Sequence, residues 1–235
     1  MPEYRRPRHR AVARLLAAFD AAALERACCF FGGGTRIVLE LGEFRESQDV
    51  DFLCADAAGY RTLRAGVTET SLGAILPALP HGIELLREVR ADQYGIRTIF
   101  VVDGEPVKFD LIREARIALA STHVDSIPLP VLDRPTCFAE KLLANADRGG
   151  DVSFRHRDAI DLAFMLSAWS AADADAGARV AITAYGASVA RAAKAAASKL
   201  TDDKDYRRQC AHSLMVDDTK TLTKGLQKLQ QFVAG

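Results

Sequence analysis

Two aspartates one residue apart, Asp49 and Asp51, carry the clearest chemical signal in this chain of 235 residues. The run Ser47-Gln48-Asp49-Val50-Asp51-Phe52 follows Gly33-Gly34-Thr35 at a helix-length spacing. In a strand, residues i and i+2 project to the same face, so the two carboxylates would point together. Paired hard oxygen donors suit Mg2+. Backbone N–H groups at a glycine-led helix start suit phosphate. Glycine turn, helix and acidic strand together describe a site for a metal-bound nucleoside triphosphate.

A third carboxylate stands in Val107-Lys108-Phe109-Asp110-Leu111-Ile112, an otherwise apolar strand that puts Lys108 and Asp110 on one face. Burying a carboxylate between Phe109 and Leu111 is costly unless a cation meets it. A lone strand aspartate is more often an edge residue; the two earlier carboxylates favour a metal-site role for Asp110. Farther on, Lys141, Asn145 and Arg148 recur at i, i+4 and i+7 and share a helix face, either a phosphate-binding face or a solvated basic one. Asp158 and Asp161 stand at i and i+3 on the next helix. Asp158 is expected to orient Lys141 or the nucleotide, and Asp161 to be structural. The plainer readings are an Arg157–Asp161 pair, or either aspartate anchoring Lys141 or Arg148. Arg45 would reach phosphate or pair with Glu43 or Glu46. The five histidines show no ligand spacing for zinc, and no G-x-S-x-G elbow or Cys–His pairing points to nucleophilic hydrolysis.

Positioning such groups requires a particular order of elements. Helical periodicity covers residues 8–27. A short apolar strand, Cys28 to Phe31, runs into the glycines, and a helix from Thr35 to Leu41 leads to the strand Asp49 to Cys54. A helix around Tyr60 to Ala65 precedes strands over 83–92, 96–102 and 107–112, the last two joined by Asp103-Gly104, a strong hairpin signal. Past Pro128 and Pro130 strand signals vanish. Helices are expected from Cys137 to Asp147 (capped by Thr136), over 155–169, over 175–199, and once or twice within 203–234. This predicts an α+β chain: a nucleotide-site domain with a small mixed sheet over residues 1–130, then a helical domain over 131–235.

Bulk properties narrow the class. At 49% hydrophobic residues the chain can bury a core, yet no apolar run is long enough for a membrane span and the N-terminus lacks a secretory-signal pattern. Five cysteines with no C-x-x-C pair read as reduced thiols in a cytoplasmic protein. Lys+Arg and Asp+Glu balance at 31 each, so the whole molecule has no general pull toward nucleic acid. Two regions are locally basic, the first ten residues and Arg191 to Lys228; either could hold a polyanion or form a solvated surface.

The order of these motifs resembles the nucleotidyltransferases of the DNA polymerase β superfamily, and within it the AbiEii-like toxin branch that includes the MenT toxins. That branch shows a GGT start, an R-x-S-x-D-[IV]-D-F run, then K-x-x-A-x-x-x-R and R-D-x-x-D-L. Here these stand as Gly33-Gly34-Thr35, Arg45 to Phe52, Lys141 to Arg148 and Arg157 to Leu162. The resemblance spans residues 28 to 166. It implies a polymerase β-like fold and transfer of a nucleoside monophosphate from an NTP to an acceptor. Asp49, Asp51 and Asp110 would hold two Mg2+ ions (or Mn2+) about 4 Å apart. Gly33, Gly34 and Thr35 would cradle phosphates. The wider superfamily carries Gly-Ser where this chain has Gly33-Gly34, so a phosphate-binding hydroxyl would come from Thr35 or Ser47. Lys141 and Arg148 would contact the triphosphate. The acceptor implied is RNA, at the tRNA 3′ end, with the protein acting as a toxin neutralised by an antitoxin. The alternatives are a small-molecule acceptor of the aminoglycoside kind, a protein acceptor, or a binding module without catalysis.

Overall fold

The computed structural model describes residues 3–233. The chain forms two compact units: one holds the chain up to Glu43 and Ser47–Asp133, the other Phe44–Glu46 and the chain from Arg134 onward. As the sequence predicts, the fold is α+β, a mixed sheet in the first unit and helices in the second.

In the first unit, α1 (Pro7–Leu16) and α2 (Ala21–Arg26) precede β1 (Cys29–Gly32), α3 (Gly33–Glu40), β2 (Asp49–Cys54) and α4 (Ala57–Ala65). Then come β3 (Ile83–Leu85), β4 (Arg90–Ala91), β5 (Gly95–Val102), β6 (Glu105–Arg113), β7 (Ser121–Val124) and β8 (Ile127–Leu132). The sheet order is β3-β5-β6-β2-β1-β8-β7, with β4 also on β5. Pairs β2–β6 and β1–β8 are parallel, and the others are antiparallel. Strand alternation divides β2 into two faces. Val50 and Phe52 are fully buried, while Asp49 and Asp51 keep partial exposure. Phe52 and Phe109 lie against Phe19, with ring centroids 5.4 and 5.5 Å from it. Each such buried ring contributes about 1.5–3 kcal/mol of hydrophobic stabilisation.

Several elements differ from their sequence expectations, each for a visible reason. The helix expected over 8–27 is two helices, because Asp20 caps α2 by accepting the Ala23 N–H at 2.8 Å. The strand expected over 83–92 splits into β3 and β4. Between them the Val89 N–H bonds the Glu69 carbonyl at 2.8 Å instead of β5. Strand β8 runs through Pro128 and Pro130, where strand structure was expected to stop. Proline cannot donate to a ladder, and here the ladder asks little of it. β8 pairs with β1 at the single register Phe31↔Val131, and the irregularity in its pairing with β7 falls opposite the prolines. Helix α3 begins at Gly33, so the glycines open the helix itself.

The second unit contains α5 (Arg134–Arg148), α6 (Arg157–Ala168), α7 (Ala171–Tyr185), α8 (Ser188–Asp202), α9 (Lys204–Ser213) and α10 (Thr219–Phe232). Helix α5 starts two residues before Thr136, with Pro135 in its first turn, where a missing N–H costs nothing. The helix expected over 175–199 is broken by Gly186 at φ +63°. The segment Phe44–Glu46 is held in this unit: the Phe44 ring stacks on Phe164 at 3.9 Å, Glu46 N–H donates to the Leu214 carbonyl, and Asp217 N–H donates to that of Phe44, both at 3.0 Å. Among the described residues no helix is long and apolar enough to cross a membrane.

In the first unit, His9 joins Glu43 to Ser47. The Ser47 N–H donates to His9 Nε2 at 3.1 Å, which leaves Nδ1 to carry the proton donated to Glu43 Oε1 at 2.8 Å. Glu43 also accepts the backbone N–H groups of Arg5 (2.8 Å) and Arg6 (3.1 Å). Burial alone would raise its pKa; these donors outweigh burial and hold it down at about 2, against an ordinary 4.5. A carboxylate held down in the folded state adds stability above its unfolded pKa and loses it as pH falls toward the folded one. Thermal melts should therefore show the wild type losing more stability than Glu43→Gln between pH 4.5 and 2. Parallel acid profiles for the two proteins would show that these bonds do not hold the charge.

Candidate active site

In the first unit, the β2–β6 register sets Asp49 beside Lys108 and Asp51 beside Asp110. Residues opposite one another in paired strands share a face, so all four side chains project together. β1 places Gly32 beside Asp51, and β5 places Arg97 beside Asp110. Asp49 and Asp51 are partly exposed, and Asp110 is 5% exposed. Lys108 forms a salt bridge with Asp110 Oδ2, and Arg97 Nε stands 4.0 Å from Oδ1. Partial burial alone would lower the Lys108 pKa; the charges of Asp110, Asp49 and Asp51 overcome this and raise it. One ammonium thus sits in the field of all three carboxylates.

That ammonium tests whether the site suits a metal. The donors are hard oxygens, the chemistry Mg2+ requires, and a cation already stands among them. Among the described residues no three acidic, histidine or cysteine side chains are gathered tightly enough to grip a metal ion as they stand. A divalent ion would have to draw the carboxylates inward and release Lys108.

Gly33 has φ +69°, a conformation that L side chains rarely adopt, and a Cβ there would collide with the Asp51 carboxylate. This close approach brings the start of α3 against the acidic face. Thr35 is fully buried and its hydroxyl bonds that of Ser47 at 2.7 Å. Of the two hydroxyls expected to reach phosphate, each is therefore already the other's partner.

Arg45, Lys141, Arg148 and Asp158 lie in the second unit, in one buried charge network. Arg45 grips Asp161 through Nε (2.7 Å) and Nη2 (2.8 Å), and its Nη1 bonds the Glu46 carbonyl at 2.8 Å. Lys141 Nζ reaches Asp161 at 2.7 Å and Asp158 at 3.0 Å. Arg148 forks onto Asp158 at 2.7 and 2.9 Å. Helix α5 supplies Lys141 and Arg148, and α6 the two aspartates. Asp161 is met by Arg45 and Lys141, while Arg157 lies over the Phe154 ring at 5.4 Å.

Burial opposes charge on Asp158 and Asp161, yet the neighbouring cations win and hold both below the usual carboxylate range. Burial likewise opposes the Lys141 charge, and Asp161 and Asp158 raise its pKa above the ordinary value. Three cations, Arg45, Lys141 and Arg148, meet the two carboxylates. Arg148, with 31% of its side chain exposed, is the member open to solvent.

Sequence reasoning placed Lys108 beside Asp110 and gave it no role. The signal was the K-x-D spacing, which sets both on one strand face. His9 and Glu43 left no sequence signal, because their partners lie 34 to 38 residues away. Removing one partner from a buried ion network strands the others without compensation, at about 3–5 kcal/mol. Asp161→Ala should lose that much stability in urea unfolding, since Arg45 would lose both of its bonds to Asp161 and Lys141 one of its two carboxylates. A loss below about 1 kcal/mol would mean that water readily reaches the two cations.

A family model described as nucleotidyl transferase AbiEii toxin, type IV toxin–antitoxin system, matches residues 14–231. No protein of curated function matches the sequence. Among solved structures, a nucleotidyltransferase described as putative from H. pylori is similar at 16% identity and TM-score 0.55, covering 96% of this chain and 92% of that one. JHP933 from Helicobacter pylori is similar at 17% identity and TM-score 0.54, covering 96% and 89%. MenT4, a nucleotidyltransferase toxin from Mycobacterium tuberculosis, shows a weaker likeness, at 17% identity and TM-score 0.47 over 97% and 86%. The two H. pylori structures share the fold. With residues 14–231 of 235 inside the family match, the chain belongs to the AbiEii nucleotidyl transferase toxin family of type IV toxin–antitoxin systems.

Proposed function

We propose that this chain transfers a nucleoside monophosphate from an NTP to an RNA acceptor, the 3′ end of tRNA, with Asp49, Asp51 and Asp110 as ligands for Mg2+ or Mn2+. The observation that carries the metal reading is the Lys108 ammonium in the field of three carboxylates on one sheet face. Family membership supports the transfer chemistry and the toxin role, and implies an antitoxin partner. The RNA acceptor comes from the resemblance of the motifs.

The acceptor hydroxyl oxygen attacks the α-phosphorus in line. A new P–O bond forms, the bond to the β-phosphate oxygen breaks, and pyrophosphate leaves with that electron pair. A bound divalent ion would supply Lewis-acid stabilisation of the charge building on these oxygens. Asp49 and Asp51 orient their oxygens together from one strand. Asp110, beside Asp51, takes the hydroxyl proton directly or through water. Gly33 lets the N–H groups at the start of α3 approach phosphate. Lys141 and Arg148 take the triphosphate-contact role that the motif implies. Asp158, bonded to both, is the group that orients them.

Incubation of the protein with total RNA, Mg2+ and each labelled NTP in turn should label RNA, and Asp49→Ala should abolish labelling. An unlabelled RNA pool, with Asp49→Ala still arresting growth, would sink this function. A second measurement isolates the metal. Lys108→Met removes the resident cation and should tighten Mn2+ binding, read by electron paramagnetic resonance, by about tenfold, which is about 1.4 kcal/mol. Unchanged Mn2+ affinity would mean that metal and lysine do not compete for the carboxylates.

A further inference from the structure

The second unit carries a basic groove that the transfer chemistry does not use. It lies between α9 and α10, about 600 Å³ in volume, with Ala211 and Leu222 buried in its floor. Its walls carry four cations, Arg207, Arg208, Lys220 and Lys224, and none of its nine lining residues is acidic. The chain as a whole is neutral, so this concentration of charge is local. Two nearby carboxylates are engaged. Asp205 pairs with Arg208 at the rim, and Asp218 caps α10 by accepting the Thr221 N–H and hydroxyl at 2.9 and 2.6 Å. Lys220 and Lys224 are both exposed, and Lys220 lies in the field of Asp218.

We propose that this groove docks the phosphodiester backbone of a base-paired RNA stem, a surface distinct from the carboxylate face. The proposal rests on the reading that the acceptor is RNA. Lys220 and Lys224 lie one helical turn apart, about 6 Å along the α10 axis, close to one nucleotide step of a phosphodiester strand. Arg207 is held in place by its own bonds, Nη1 donating to the carbonyls of Leu200 (2.9 Å) and Thr201 (3.3 Å). The Thr219 hydroxyl and the Gln227 amide, both exposed, add donors for phosphate oxygens and 2′-hydroxyls, while the Thr223 hydroxyl, donating to the Thr219 carbonyl at 2.9 Å, can only accept. No aromatic side chain lines the groove, so it offers no platform on which unpaired bases stack. Cations without stacking partners read backbone charge and shape, and leave sequence unread.

The experiment measures binding of bulk tRNA and of polyglutamate to the full chain by fluorescence anisotropy, across a salt series. The wild type is compared with the triple variant Arg208→Ala/Lys220→Ala/Lys224→Ala and with the single variant Lys224→Glu. All three positions are exposed, and circular dichroism melts confirm folding; the single variant serves if the triple one does not fold. The proposal expects tRNA affinity to fall about tenfold or more in the triple variant at low salt, and the slope of log affinity against log salt to shrink by about 2–3. Mn2+ binding at the carboxylate face should be unchanged. Equal tRNA affinity and slope in wild type and variants would overturn the groove while leaving an RNA acceptor standing. Loss of polyglutamate binding with tRNA binding intact would overturn it in favour of an acidic protein partner. A wild type that binds no RNA at any salt would overturn both the groove and the RNA acceptor.

Discussion

The parallel pairing of β2 with β6 is the constraint on which the acidic face depends. Asp51 stands beside Asp110 and Asp49 beside Lys108 because the two strands are in that register. Strand side chains alternate with period two, so a slip of one residue would turn Asp110 toward Phe19 and bring Phe109 out to solvent. The fully buried Phe52 and Phe109 forbid that slip. The same aromatic layer that stabilises the sheet therefore fixes which acidic residues are neighbours, and core packing and site geometry are two faces of one alternation.

The second unit solves a different problem. It buries four charged groups and pairs them with one another and with the partly exposed Arg148, with Asp158 shared by Lys141 and Arg148, and Asp161 by Arg45 and Lys141. A network of this kind gives little net stability over an apolar core of similar volume, yet losing any member is costly. Its value lies in direction. Two cations from α5 and one from the Phe44–Glu46 segment are held in fixed orientations by two carboxylates of α6. Arg45 brings the third cation, its guanidinium forked on Asp161 through Nε and Nη2.

Much of this was legible in the residues. The K-x-D and D-x-D spacings put carboxylates on strand faces, glycines marked the start of α3, and Asp103-Gly104 joined β5 to β6. Other features were hidden. Pro128 and Pro130 argued against a strand, yet β8 forms because its neighbours make few demands on the missing N–H groups. A continuous helical period over 8–27 concealed the break at Asp20, since a cap works through one side-chain bond and leaves hydrophobic spacing unchanged. Arg45 looked free to meet phosphate or a neighbouring glutamate, whereas its guanidinium is committed to Asp161, 116 residues away.

The sequence by itself determined what is local: residue types, the period-two face of each strand, the shared helix face of Lys141 and Arg148, and a positive-φ position that glycine fills. Tertiary structure alone decided what is non-local: that β6 lies beside β2 in a register matching Asp51 to Asp110, that Lys108 pairs with Asp110 in the field of Asp49 and Asp51, and that Arg45 joins Lys141 on Asp161. The division follows from the physics. Alternation and helical period arise within a few residues of backbone, while strand neighbours and buried ion pairs are chosen by packing and desolvation among segments far apart in the chain.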